Sequence, residues 1–125
     1  MSEPLLAGLR VVEFSAFVAA PSAGLTLAQL GAEVIRVDPI GGNIRTTRMP
    51  VNGEGKSLYW ASLNKGKRSV EIDVRSPQGR KVLQDMITAP GPGGGIFVTN
   101  PSVDGELAYE ALKARRADVI MVQLI

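Results

Sequence analysis

Short apolar runs rich in β-branched residues recur along this chain with helix-length stretches between them, and that alternation leaves few folds open. "LRVVEF" (Leu9 to Phe14) and "EVIRV" (Glu33 to Val37) are both nearly continuous, the mark of strands covered on two faces. Between them Leu25, Leu27, Ala28 and Leu30 describe a mostly apolar helix, with Pro21 suited to its first turn and Gly31 to a left-handed C-terminal cap. Strand, helix and strand within about thirty residues make a βαβ unit, whose crossover is expected to be right-handed.

The pattern continues. "VEIDVR" (Val70 to Arg75) alternates strictly, with Val70, Ile72 and Val74 on one face and Glu71, Asp73 and Arg75 on the other, so a strand is predicted there. Ser76 and Pro77 form an N-cap and first-turn pair for a helix whose stripe is Val82, Leu83, Met86 and Ile87, ending before Pro90. A strand at Ile96 to Val98, a helix over Glu106 to Arg116 and a nearly continuous apolar strand at Val119 to Ile125 complete the series. The order β-α-β, loop, β-α-β-α-β predicts an α/β fold: a Rossmann-like, largely parallel sheet with flanking helices. The last strand reads as buried, with no element after it to cover it. Residues 1–125 are therefore expected to form the N-terminal portion of a larger domain.

Composition removes whole classes of chemistry. With 125 residues, 45% hydrophobic and 21% charged, the chain can bury a core and matches neither a disordered nor a membrane composition. It holds no cysteine and no histidine, which excludes disulfides, thiolate nucleophiles, Ser-His triads and imidazole-ligated metals. Carboxylates, amines, hydroxyls and backbone amides remain, and no metal site is indicated. Met1 to Arg10 lacks a basic-then-apolar leader pattern, and no apolar run approaches the roughly 18 residues of a membrane span, so a cytoplasmic setting without membrane contact is expected. A net charge of +2 gives no argument for nucleic acid but suits a phosphate-bearing small molecule.

Four stretches invite a binding role. Asp38 to Gly55 is a long loop with four glycines and two prolines, of the kind that serves as a lid or binding segment. Within and after it, "GEGKS" (Gly53 to Ser57) resembles the end of a phosphate-binding loop, but Pro50 stands where that motif requires its first glycine. "GPGGG" follows a helix and enters a strand, the reverse of a phosphate cradle, and reads as a connector. "NKGKR" gathers Lys65, Lys67 and Arg68 in a turn that reads as solvated and attractive to phosphate, without the interleaved aromatics of a nucleic-acid reader. "FVAAPSAG" (Phe17 to Gly24) has no Ser, Thr, Asp or Asn to cap the helix entered at Pro21. Either a ligand takes the first amides of that helix, or the small residues let it pack closely on its strand.

Taken together, "LAGLRVVEFSAFVAAPSAGLTLAQLGAEVIRVDPIGG", "SLYWASLNKGKRSVEIDVRSPQGRKVL" and "IFVTNP" resemble the N-terminal part of class III CoA-transferases, a family that includes acyl-CoA racemases. The variants "SAFVAAP" and "RVDPIGG" resemble a branch that moves CoA between two carboxyls of one unsaturated diacid. The resemblance implies a Rossmann-like large domain completed by later chain, two interlocked subunits, and coenzyme A or an acyl-CoA thioester as substrate, with no permanently bound cofactor. Carried over by position, the CoA contacts would be Val18, Ala19, the segment Ile72, Asp73, Val74 and Arg75, and Asn100. Pro39 stands where the family often has a cation, and Pro101 where it often has an aromatic residue. The family's nucleophile is an aspartate beyond the segment equivalent to "VIMVQLI", so no catalytic residue is assigned here, and Asp38, Asp73 and Asp118 do not replace it. Two other readings are a noncatalytic, truncated CoA-binding or self-associating module, and an NAD-type dinucleotide domain, which the missing glycine fingerprint disfavours.

Overall fold

A computed structural model describes residues 2–42 and 48–125. The chain folds as β1 (Arg10–Phe14), α1 (Ala19–Gln29), β2 (Glu33–Asp38), α2 (Leu58–Leu63), β3 (Arg68–Glu71), α3 (Pro77–Thr88), β4 (Ile96–Thr99), a 3-10 turn (Gly105–Leu107), α4 (Tyr109–Arg115) and β5 (Ile120–Gln123). The five strands form one sheet in the order β3-β2-β1-β4-β5, and every pairing is parallel. The predicted α/β, Rossmann-like architecture is therefore present. Strand order reverses between β1 and β4, and in such sheets ligands bind in the crevice that opens at the carboxyl ends of those two strands.

Alternate residues of each strand feed two apolar layers. Val12, Val37, Phe97 and Ile72 meet Leu83 and Ile87 of α3 and Leu112 of α4 on one side. Val11, Val34 and Val98 meet Ala20, Ala23, Leu27 and Ala28 of α1 on the other. Both helix starts follow from local chemistry. Ser76 Oγ accepts from the Gly79 amide at 2.9 Å and caps α3, whereas α1 begins at Ala19, two residues ahead of Pro21, with no side-chain cap. Gly31, at φ of 109°, ends α1 and donates to Ala28 O, as its sequence position predicts.

Three expectations need correction. The strand predicted over residues 70–75 is hydrogen-bonded only from Arg68 to Glu71. Ile72 donates to Asp38 O, and then the Asp73 carboxylate accepts from the Arg75 amide while the Asp73 carbonyl accepts from Ser76, so a side-chain-stabilised turn ends the ladder. Helix α2 is an addition, begun by Ser57 Oγ accepting from Trp60 N at 3.1 Å. The last strand is an edge, with Ile120 and Val122 exposed, and not a buried central one. Of the long loop at 38–55, residues 43–47 lie outside the described residues. Its later part turns on Asn52, whose side chain accepts from the Glu54 and Lys56 amides, and Val51 bridges Ser57.

Candidate functional site

The crevice between the ends of β1 and β4 is bounded by the turn Ser15 to Val18 and by Asn100. Asn100 holds that turn by pairing with one residue's backbone in both directions: its Oδ1 accepts from Ala16 N and its Nδ2 donates to Ala16 O, each at 2.7 Å. Phe17 then takes a left-handed conformation at φ of 64°, unusual for a residue with a side chain, and leaves Phe17, Val18 and Ala19 exposed. The chain enters α1 immediately afterwards. Val18 supplies no side-chain cap, and since Pro21 has no N–H and the Ser22 amide already donates to Val18 O, the amides of this helix start without a helical partner are those of Ala19 and Ala20.

Beneath this turn lies a buried ionic network. Glu13 and Arg36 are register partners on β1 and β2, both on the face that α1 covers. The Arg36 guanidinium lies 3.1 Å from Glu13 Oε2, 3.0 Å from Asp38 Oδ1 and 2.8 Å from Asn64 Oδ1, and its third nitrogen reaches Ser15 O at 3.3 Å. Lys67 Nζ sits 2.8 Å from Glu13 Oε1, donates to Asn64 Oδ1 at 3.0 Å and donates to Pro21 O, in the first turn of α1, at 2.9 Å. The Trp60 ring stacks near Arg36, with the guanidinium carbon 5.5 Å from its centroid. Burial pulls the Lys67 ammonium below the usual lysine range, against the opposing attraction of Glu13.

The predicted contacts thus divide. Val18, Ala19 and Asn100 converge on the crevice. Ile72 to Arg75 lie past β3, two strands from β1, a separation of roughly 10 Å at ordinary strand spacing. Within that segment Ile72 is buried in the core and Val74 packs against it, so only Asp73 and Arg75 offer side chains to solvent, and they pair with each other. Lys67, read from sequence as part of a solvated turn, is buried, and its side chain is only 1% exposed. Glu13, Arg36 and Asn64 went unnoticed in the sequence. Glu13 and Arg36, each flanked by apolar neighbours within its strand, were the available signal. A cavity of about 430 Å³ is at the opposite end of the sheet, lined by Leu9, Arg10, Glu33, Met86 and the glycine-rich loop before β4, and it touches none of these groups.

Residues 6–125 match the family model described as CoA-transferase family III. The chain belongs to that family. It is 59% identical over 122 residues to 2-methylfumaryl-CoA isomerase of Chloroflexus aurantiacus, an alignment covering 97% of this chain and 30% of the relative. It is 33% identical to (R)-2-hydroxy-4-methylpentanoate CoA-transferase of Clostridioides difficile, over 97% of this chain and 31% of the relative. Among solved structures, a CaiB/BaiF family protein from Brucella suis superposes with a TM-score of 0.84 at 32% identity, covering 98% of this chain and 33% of that one. The chain accordingly spans about a third of the length of these family members. The matched range, residues 6–125, includes the residues of the crevice and of the ionic network beneath it.

Proposed function

We propose that this segment forms one wall of an acyl-CoA site, in which the CoA thioester lies along the carboxyl ends of the strands. The observation that carries this reading is the exposed, uncapped start of α1 at the sheet's switch point, held by Asn100. Val18 and Ala19 would meet the ligand directly. Asn100 spends its amide on Ala16 and would act by shaping the turn. Ile72 to Arg75 would lie under a more distant part of the same extended molecule, with Asp73 and Arg75 supplying its polar contacts. The likeness to 2-methylfumaryl-CoA isomerase favours a reaction that shifts CoA between carboxyls of an unsaturated diacid. The nucleophilic aspartate of that chemistry would come from chain beyond residue 125. A cytoplasmic setting and a homodimer belong to the same proposal.

Isothermal titration of the 125-residue chain with CoA and, separately, with NAD tests it. Saturable heat with CoA is expected; a response to NAD alone, or to neither, rejects the reading. The exposed face of β5 supports a second reading, a noncatalytic module that self-associates. No helix among the described residues is long and apolar enough to cross a membrane.

A further inference from the structure

The ionic network is the most expensive feature of the described molecule, and the acyl-CoA reading does not itself require it. Four ionisable side chains, Glu13, Arg36, Asp38 and Lys67, are taken out of water together. Such pairs seldom stabilise a fold more than apolar side chains of the same volume would. What they supply is geometry. Lys67 ties four separate pieces of chain: the residue entering β3, Asn64 at the end of α2, Glu13 on β1 and the Pro21 carbonyl of α1. Helix α1 is seated on the same cluster, because an added Cβ at Gly24 would fall 1.6 Å from Glu13 Oε1 and 3.2 Å from Lys67 Cε.

We propose that Lys67 is a positioning residue for the CoA site: its ammonium, anchored by Glu13, fixes the height and tilt of the first turn of α1 and so aims the uncapped amides at the ligand. This rests on the acyl-CoA reading for its ligand, but not for its mechanics. Arg36 performs the matching task one residue set earlier, holding Ser15 O while Asn100 holds Ala16 from the other side. The turn is clamped from both flanks, and Lys67 carries the clamp into the helix.

The test uses the 125-residue chain carrying Lys67→Met, and the charge-balanced pair Lys67→Met with Glu13→Gln, which leaves Arg36 with Asp38 and no unpaired carboxylate. Two readouts are taken. The first is hydrogen exchange of the Ser22 amide, which makes the opening bond of α1 to Val18 O at 2.7 Å. The second is CoA affinity by titration. In the paired variant the melting temperature should stay near the parent's while Ser22 exchanges about tenfold faster and CoA binds about tenfold more weakly, the scale of one charge-assisted hydrogen bond. Parent-like Ser22 protection in a variant of parent-like melting overturns the proposal. Collapse of both variants overturns it too, since the network would then serve the fold as a whole. If the parent itself fails to bind CoA, the acyl-CoA reading falls, and Ser22 still decides the role of Lys67.

Discussion

Replacing Gly24 by alanine should destabilise this chain, although the same change in an ordinary helix interior stabilises by about 1 kcal/mol. The sign reverses because of what lies under α1. The new methyl would stand 1.6 Å from Glu13 Oε1 and 2.8 Å from its Cδ. A carboxylate at the tip of a flexible side chain could usually swing aside, but this one is fully buried and held by Lys67 and Arg36. If Glu13 leaves, a buried pair is broken at a cost of about 3–5 kcal/mol. If α1 lifts instead, overpacking costs about 1–3 kcal/mol and the Lys67 bond to Pro21 O is stretched. Setting the helix-propensity gain against the first route leaves a net loss of about 2–4 kcal/mol. Urea unfolding followed by the fluorescence of Trp60, the single tryptophan, measures it. A midpoint equal to or above the parent's, at unchanged slope, would refute the claim that the carboxylate is pinned.

Gly79→Ala should also destabilise, by about 2 kcal/mol or more, because its Cβ would meet the Asp73 carbonyl oxygen at 1.9 Å and backbone cannot swing away. The same urea titration reads it, and a neutral result would mean that the turn at Ile72 to Arg75 is loosely held. Asn100→Ala removes two hydrogen bonds to Ala16 and should cost about 2 kcal/mol, with weaker CoA binding in the folded protein; loss of stability without loss of CoA affinity would separate Asn100 from the site. The Lys67 ammonium has a folded pKa below its unfolded value because burial disfavours its charge. Between those two values the unfolded chain binds more protons, so stability contributed by this group rises with pH through the window just below the ordinary lysine value and levels off above it. The parent curve should therefore climb relative to Lys67→Met in that alkaline interval. A relative fall there would show that the attraction of Glu13 outweighs desolvation.

Local periodicity carried most of the fold. β1, β2 and β4 are legible as short, nearly continuous apolar runs buried on both faces, and α3 by its stripe at a period of 3.6, each within a single short window. The strand beyond Glu71 was overread for the same reason: Ile72 and Val74 still face the core from within a turn, so the apolar alternation outlasts the ladder. Helix α2 has six residues and none fully buried, too short for a stripe, and only its cap at Ser57 marked it. Of the site, the uncapped turn and Asn100 were visible, the first as a missing side chain, the second by family likeness. Lys67 was misread because "NKGKR" looks like surface in any local window, and its burial is decided by Glu13 on another strand.

The ionic network also explains why the site is one-sided. Parallel strands buried on both faces are ordinarily apolar throughout, and β1 and β2 obey that rule for their first residues on the α1 side, where Val11 and Val34 pack. Toward their carboxyl ends the same row turns ionic, with Glu13, Arg36 and Asp38, while the opposite row continues as Val12 and Val37 against α3. The change of polarity is confined to one face and to the end of the sheet where ligands bind. Apolar residues could support α1 there at no greater cost, but a van der Waals surface lets a helix slide, whereas directed bonds to Pro21 O and Ser15 O do not. A helix start that must present bare amides to a ligand at a fixed height has use for the second kind of support, and it is supplied beneath the first turn of α1.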